Sequence, residues 1–231
     1  MLKLVGYHYS PYVRKVLVSL EHKGLDYQHD PLIPFIERER LLPLNPKGVV
    51  PVMVVDEQPM PESAVICRWL DDKFPESPIY PQDPELNKLA KALEDWSDAT
   101  FVSVFGGGMF YQRIIKPFFL NRESSEARVH QSMTEKAPVL FCELEEKLGN
   151  RDFLAETFSV ADIAITAWLR LGMLVGLTIS ESDHPNLIAY LQRIFAIPAC
   201  AKATQMENEL DVVKQAKEKY MTDPAMIELV E

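Results

Sequence analysis

Cysteine is scarce in this sequence. Its three cysteines, Cys67, Cys142 and Cys200, are odd in number and far apart, which suits buried free thiols in a reducing compartment better than a disulfide framework. Neither they nor the five histidines fall at metal-ligand spacing, so no metal is expected. Runs of lysine and arginine are also missing, and a formal net charge of −10 with a pI near 5.1 would repel a phosphate backbone. Nucleic acid is therefore excluded as a partner. No segment approaches the ~20 apolar residues of a membrane span, and Met1 to Tyr7 run straight into Ser10-Pro11 without the apolar stretch of a signal peptide. The expectation is a cytoplasmic protein that crosses no membrane, with no internal repeat and no low-complexity tract.

What is present is an ordinary globular mixture, 47% hydrophobic and 25% charged over 231 residues, enough for two domains with real cores. Leu2 to Tyr7 predicts a strand. Pro11 to Lys23 predicts a helix, with Val13, Val16, Leu17 and Leu20 at helical spacing and Gly24 as its stop. Tyr27 to Leu32 reads as a weaker second strand. Val49 to Val55 is a β-branched run containing Pro51, followed by a turn at Asp56-Glu57 and a short strand near Met60. Ala64 to Phe74 again shows helical periodicity. The order is β-α-β, a gap, then β-β-α.

Pro75, Pro78, Pro81 and Pro84 put four prolines in ten residues, so this stretch is neither helix nor central strand. Beyond Leu86 everything reads as helix, about five in all, with breaks at 121–124, 149–157, 180–185 and 197–198. Ser159 and Asp162 stand as N-cap and N3 of a capping box, flanked by Phe158 and Ile163, and predict a helix from Val160 to about Leu174. The expected division is 1–76, a proline-rich linker at 77–86, and an all-helical part at 87–231.

Five motifs in order carry a resemblance. They are Ser10-Pro11-Tyr12-Val13-Arg14; Asn45-Pro46-Lys47-Gly48-Val49-Val50-Pro51-Val52; Glu62-Ser63 before Ile66-Cys67-Arg68-Trp69-Leu70; Phe158-Ser159-Val160-Ala161-Asp162-Ile163; and His184-Pro185-Asn186-Leu187 continuing to Pro198-Ala199. Along nearly its whole length the chain resembles the cytosolic glutathione S-transferase superfamily, in its serine-type, bacterial theta- or tau-like classes. The resemblance implies an α/β thioredoxin-like N-terminal domain followed by an all-α C-terminal domain. It also implies a homodimer that takes glutathione as co-substrate and conjugates its thiolate to an apolar electrophile.

The residues can be matched to that chemistry. Glutaredoxin-like relatives open this helix with Cys-Pro-Tyr-Cys; here the frame reads Ser10-Pro11-Tyr12-Val13, so disulfide exchange is excluded. The Ser10 hydroxyl lies at a helix N-terminus, where amides and dipole favour negative charge, and the resemblance assigns it to the thiol. The plainer account makes Ser10 an N-cap ahead of Pro11; Tyr7 and Tyr9 are rival hydroxyls. The resemblance implies a cis Val50-Pro51 bond, with the Val50 backbone pairing the cysteinyl backbone of glutathione like an added strand. Glu62 and Ser63, at a helix start, suit the γ-glutamyl ammonium and carboxylate, although both also serve as ordinary helix-start residues.

Two positions depart from the family pattern. Val49 replaces a residue that often reaches the glycyl carboxylate, leaving Lys47, Arg38 or Arg40 as substitutes. Gly106-Gly107-Gly108 interrupts the first long helix, predicting a kink or close packing. The second substrate is expected between Ser10 and that helix, near Tyr12, Phe105, Met109, Phe110 and Tyr111. Asp95 or Asp98 is a candidate to reach a partner subunit's γ-glutamyl site. Rival functions are a non-catalytic interaction protein, which Val49 favours, and a glutathione-dependent isomerase or dehalogenase.

Overall fold

The structure, a computed structural model of the protein, describes residues 1–230. Four strands, β1 (Leu2–Val5), β2 (Gln28–Asp30), β3 (Val52–Val55) and β4 (Gln58–Pro61), form one mixed sheet in the order β2-β1-β3-β4. β1 is parallel to β2 and antiparallel to β3, and β3 is antiparallel to β4. Asp56 and Glu57 both take positive φ, 48° and 68°, as a two-residue hairpin of type I′ requires. Pro59 and Pro61 are tolerated because β4 is an edge. Three strands are shorter than expected: β1 ends where Gly6 turns to φ 143°, β2 takes only Gln28–Asp30 of the stretch from Tyr27 to Leu32, and β3 begins only after the cis Val50-Pro51 bond.

Helix α1 (Pro11–His22) connects the parallel strands, α2 (Arg38–Leu41) is a single turn, and α3 (Ser63–Lys73) follows the sheet. Asp83 caps α4 (Pro84–Phe101), accepting from the amides of Glu85 and Leu86. Then come α5 (Glu126–Gln131), α6 (Ala137–Leu148), α7 (Val160–Met173), α8 (Pro185–Phe195), α9 (Pro198–Asn208), α10 (Asp211–Tyr220) and α11 (Pro224–Val230). The final stretch expected as one helix is three, broken at 209–210 and 221–223. The capping box holds: Asp162 accepts from the Ser159 amide at 2.8 Å, and also from the Leu154 amide and the Tyr190 hydroxyl. Every residue of α7 is buried, which makes it the axis of the helical part.

α4 runs on without a break into wide π-type turns over Val102–Phe119, which contain all three adjacent glycines. A Cβ on Gly108 would lie 2.0 Å from Ser132 Oγ, and one on Gly106 would lie 3.1 Å from the Trp168 ring. The glycines thus allow close packing. Gly108→Ala is expected to lower stability by ~1–3 kcal/mol, read as a reduced urea midpoint.

α1 lies between the sheet and the helical part and is buried from Pro11 to Leu20 apart from Tyr12. Its two internal cations therefore need partners. Arg14 Nη1 donates to Glu207 at 2.5 Å and its Nη2 to Thr204 Oγ1 and the Cys200 carbonyl; Glu207 also accepts from Arg170 Nε. Lys15 pairs with Glu94 at 2.8 Å and Asp98 at 2.9 Å.

Candidate functional site

Gly6 is the hinge of the site. With φ 143° and no side chain, it lets the first turn of α1 meet the Val50 turn; a Cβ there would lie 2.5 Å from Val13 and 2.9 Å from Val50. The chain turns through Tyr7, His8 and Tyr9, the Ser10 amide donates to the Tyr7 carbonyl at 3.1 Å, and α1 starts at Pro11. Ser10 occupies the N-cap position, yet its hydroxyl accepts no capping bond. Instead it lies beside the Tyr7 phenol: burial pushes that phenol up to about 12, and the Ser10 hydroxyl opposes the shift.

The opposite wall is the loop before β3. Asn45 organises it, donating from Nδ2 to the Val49 carbonyl at 2.8 Å and accepting the Lys47 amide at 3.1 Å. The amide and carbonyl of Val50 take no hydrogen-bond partner among the described residues. Such pairing capacity beside a sheet suits an extended peptide. Glu62 follows with φ 75°, a strained setting for a non-glycine residue, and its side chain caps nothing. Ser63 is the first residue of α3 and is buried.

Lys47 and Glu62 pair with each other at 2.7 Å, both well exposed. Arg40 is taken up by Asp30 and Glu37, whereas the Arg38 guanidinium packs over Gly48 with no ion pair among the described residues. Asp98 is drawn inward by Lys15, and Asp95 is exposed.

The residues expected to hold an electrophile separate. Phe105 and Met109 are fully buried in the helical core, because apolar periodicity marks buried positions without saying which face meets a cleft. The Tyr12 hydroxyl sits 3.5 Å from the Asp98 carbonyl, and its ring meets Trp168 edge-on at 5.3 Å. Phe110 alone of the four joins an aromatic chain next to Ser10. That chain runs from the exposed Phe35 through Tyr7 (6.3 Å) and Tyr9 (4.7 Å) to Phe110 (5.7 Å) and Phe119 (6.3 Å). Phe35 and Phe119 lie far apart in sequence and carry no local signal. Tyr111, on the same wide-turned stretch as Phe110, is partly buried.

Behind Ser10, the His8 and His29 rings lie 4.1 Å apart, and His29 Nε2 sits 2.7 Å from the Gly6 carbonyl. Burial and the neighbouring His29 hold His8 down at about 4, with Glu207 opposing them; His29 is lowered too, chiefly by burial. A base whose pKa falls on folding binds fewer protons folded than unfolded, so stability must decline as pH drops from 6.5 toward 4. In His8→Asn that decline is expected to be shallower, measured by urea denaturation at pH 4.5 and pH 7.

A four-stranded mixed sheet with a cis-proline turn, joined to an all-helical part, defines a two-part thioredoxin-like fold. Family models for the glutathione S-transferase N-terminal domain match residues 4–78, and for its C-terminal domain residues 109–198. A probable glutathione S-transferase of Glycine max is 30% identical over 85% of each chain. The protein LigF of Sphingobium sp. strain SYK-6 is 28% identical over 94% of this chain and 98% of its own. A theta class glutathione S-transferase from Xanthomonas axonopodis pv. citri, solved with glutathione bound, superposes with a TM-score of 0.74 at 25% identity, covering 87% of this chain and 96% of that one. The chain belongs to the glutathione S-transferase superfamily of transferase enzymes.

Proposed function

We propose that the protein binds glutathione in the cleft between Ser10 and Val50, ionises its thiol and transfers it to an apolar, aromatic electrophile. The observation that carries this reading is the Ser10 hydroxyl, held at the start of α1 and unused in capping that helix. A thiol of pKa about 8.5 is only a few per cent ionised at pH 7; a downward shift of ~2 units, about 2.7 kcal/mol, makes it mostly thiolate. A hydrogen bond to the sulfur together with the helix N-terminus supplies that order of energy. The Tyr7 phenol, protonated at neutral pH, stands beside that hydroxyl as a second donor.

The unpaired Val50 backbone takes the cysteinyl segment next to Pro51, while Glu62 and Ser63 take the γ-glutamyl end. Lys47 or Arg38 then meets the glycyl carboxylate in place of Val49. Binding exchanges the Lys47–Glu62 ion pair for one pair at each end of the tripeptide. The aromatic chain around Phe110 supplies a wall on which a flat electrophile can stack. A homodimer in a reducing cytoplasm completes the reading, with three free cysteines of which Cys67 and Cys200 are buried as expected and Cys142 is exposed.

A second reading keeps the thiolate and changes the bond it breaks. The solved beta-etherase LigF is 26% identical over 89% of this chain and superposes with a TM-score of 0.69. On an aryl ether the sulfur would attack the carbon bearing the aryloxy group; the C–S bond forms, the C–O bond breaks, and the departing aryl oxide takes a proton from water. Calorimetry with glutathione and thiolate absorbance at pH 7 test the shared first step. Saturable heat with thiolate absorbance is expected, and silence at millimolar glutathione would leave an interaction protein. Release of a phenol from a model aryl ether separates the two reactions.

A further inference from the structure

A cavity of about 720 Å³ opens between α8, α9, the segment at 179–181 and α11, lined by none of the residues around Ser10 and Val50. Its floor is apolar: Ile179, Ile188, Phe195 and Met226 are each 9% exposed or less. The rim has one sign of charge. Glu181, Asp223 and Glu228 line it, and no lysine or arginine does. Asp223 accepts the Ala225 amide at the start of α11, but Glu181 and Glu228 have no basic partner among the described residues.

We propose that this cavity is a second ligand site, and that it takes an apolar organic cation. The volume falls within the ~300–1,000 Å³ range of small-molecule sites. An aromatic or alicyclic body would displace water from the isoleucine and phenylalanine floor, where flexible Met226 adapts to its outline. A positive nitrogen would then lie at the rim against Glu181 and Glu228. The same rim rejects apolar anions, which would meet carboxylates and find no counter-charge. The net charge of −10 adds a long-range pull in the same direction. This site stands independently of the glutathione reading.

The test uses the full chain in fluorescence titrations with tetramethylrhodamine methyl ester, an apolar cation, and anilinonaphthalene sulfonate, an apolar anion. The cation is expected to bind at least ~10-fold tighter than the anion, with millimolar glutathione failing to displace it. Glu181→Gln with Glu228→Gln should weaken the cation ~4- to 25-fold, at ~2- to 5-fold per exposed carboxylate, and leave the anion no weaker. Ala201→Lys, on the exposed lining of α9, should do the same by placing a positive charge in the site. Equal affinity for the two dyes overturns the proposal, as does cation binding that survives the glutamine pair unchanged or is displaced by glutathione. Circular dichroism checks folding; the glutamine pair, at exposed positions, decides alone if the lysine variant does not fold.

Discussion

Ser10→Ala is expected to raise the pKa of protein-bound glutathione by ~1–2 units and, by cutting the thiolate fraction at pH 7, to lower kcat/KM there by ~3- to 25-fold. A hydrogen bond to a charged group contributes ~1.5–3 kcal/mol, and each 1.36 kcal/mol is tenfold in rate or one pKa unit. The loss should shrink as pH rises past 9, where the thiol ionises without help, and affinity for glutathione should hardly move because the tripeptide backbone is gripped elsewhere. Tyr7→Phe should give a smaller shift in the same direction. The measurement is thiolate absorbance of the bound tripeptide against pH, beside steady-state rates with an aryl halide. An unchanged titration in Ser10→Ala would remove Ser10 from the mechanism and leave its neighbouring phenols as the donors.

The largest effect on stability is expected at Glu207. Its carboxylate, 1% exposed, is divided between Arg14 and Arg170, and Arg14 has no other acid within reach among the described residues. Glu207→Gln leaves that guanidinium buried without a counter-charge, a loss of ~3–5 kcal/mol, or on the order of 10 °C in Tm for a chain of this size. Changing Arg14, Glu207 and Arg170 together to apolar residues of similar volume should restore much of it, since no bare charge then remains. Calorimetric melting of both variants separates a buried ion network from simple packing. If Glu207→Gln melts within 2 °C of the native chain, the network contributes little.

These two sites differ in how far the sequence discloses them. Ser10-Pro11, the Gly48-to-Pro51 turn and Glu62-Ser63 are local signals: a proline and a glycine fix backbone geometry within a few residues, so motif order is enough to position them. The capping box at Ser159 and Asp162 is legible for the same reason. Arg14 and Lys15 look like two ordinary surface charges on a helix, because Glu207 and Glu94 are 193 and 79 residues away. The aromatic wall is hidden likewise: Phe105, Met109 and Phe110 share one apolar stretch, and only the wide turns around Gly106–Gly108 decide that Phe110 alone reaches Tyr9. The breaks after α9 and α10 escaped because one lies in a polar run without glycine or proline. At the other, the gap before the helix start at Pro224 is only residues 221–223, too short to interrupt the helical pattern.

The depth at which α1 is buried has a consequence for how such chains can be recombined. Its sheet-facing side answers to the first third of the sequence, but its charged side is written to match α4, α7 and α9. A chimera that joined this N-terminal part to a relative's helices would carry Arg14 and Lys15 into a foreign surface. It should fold only when acids equivalent to Glu94 and Glu207 travel with them, so the two halves are expected to diverge as a matched set.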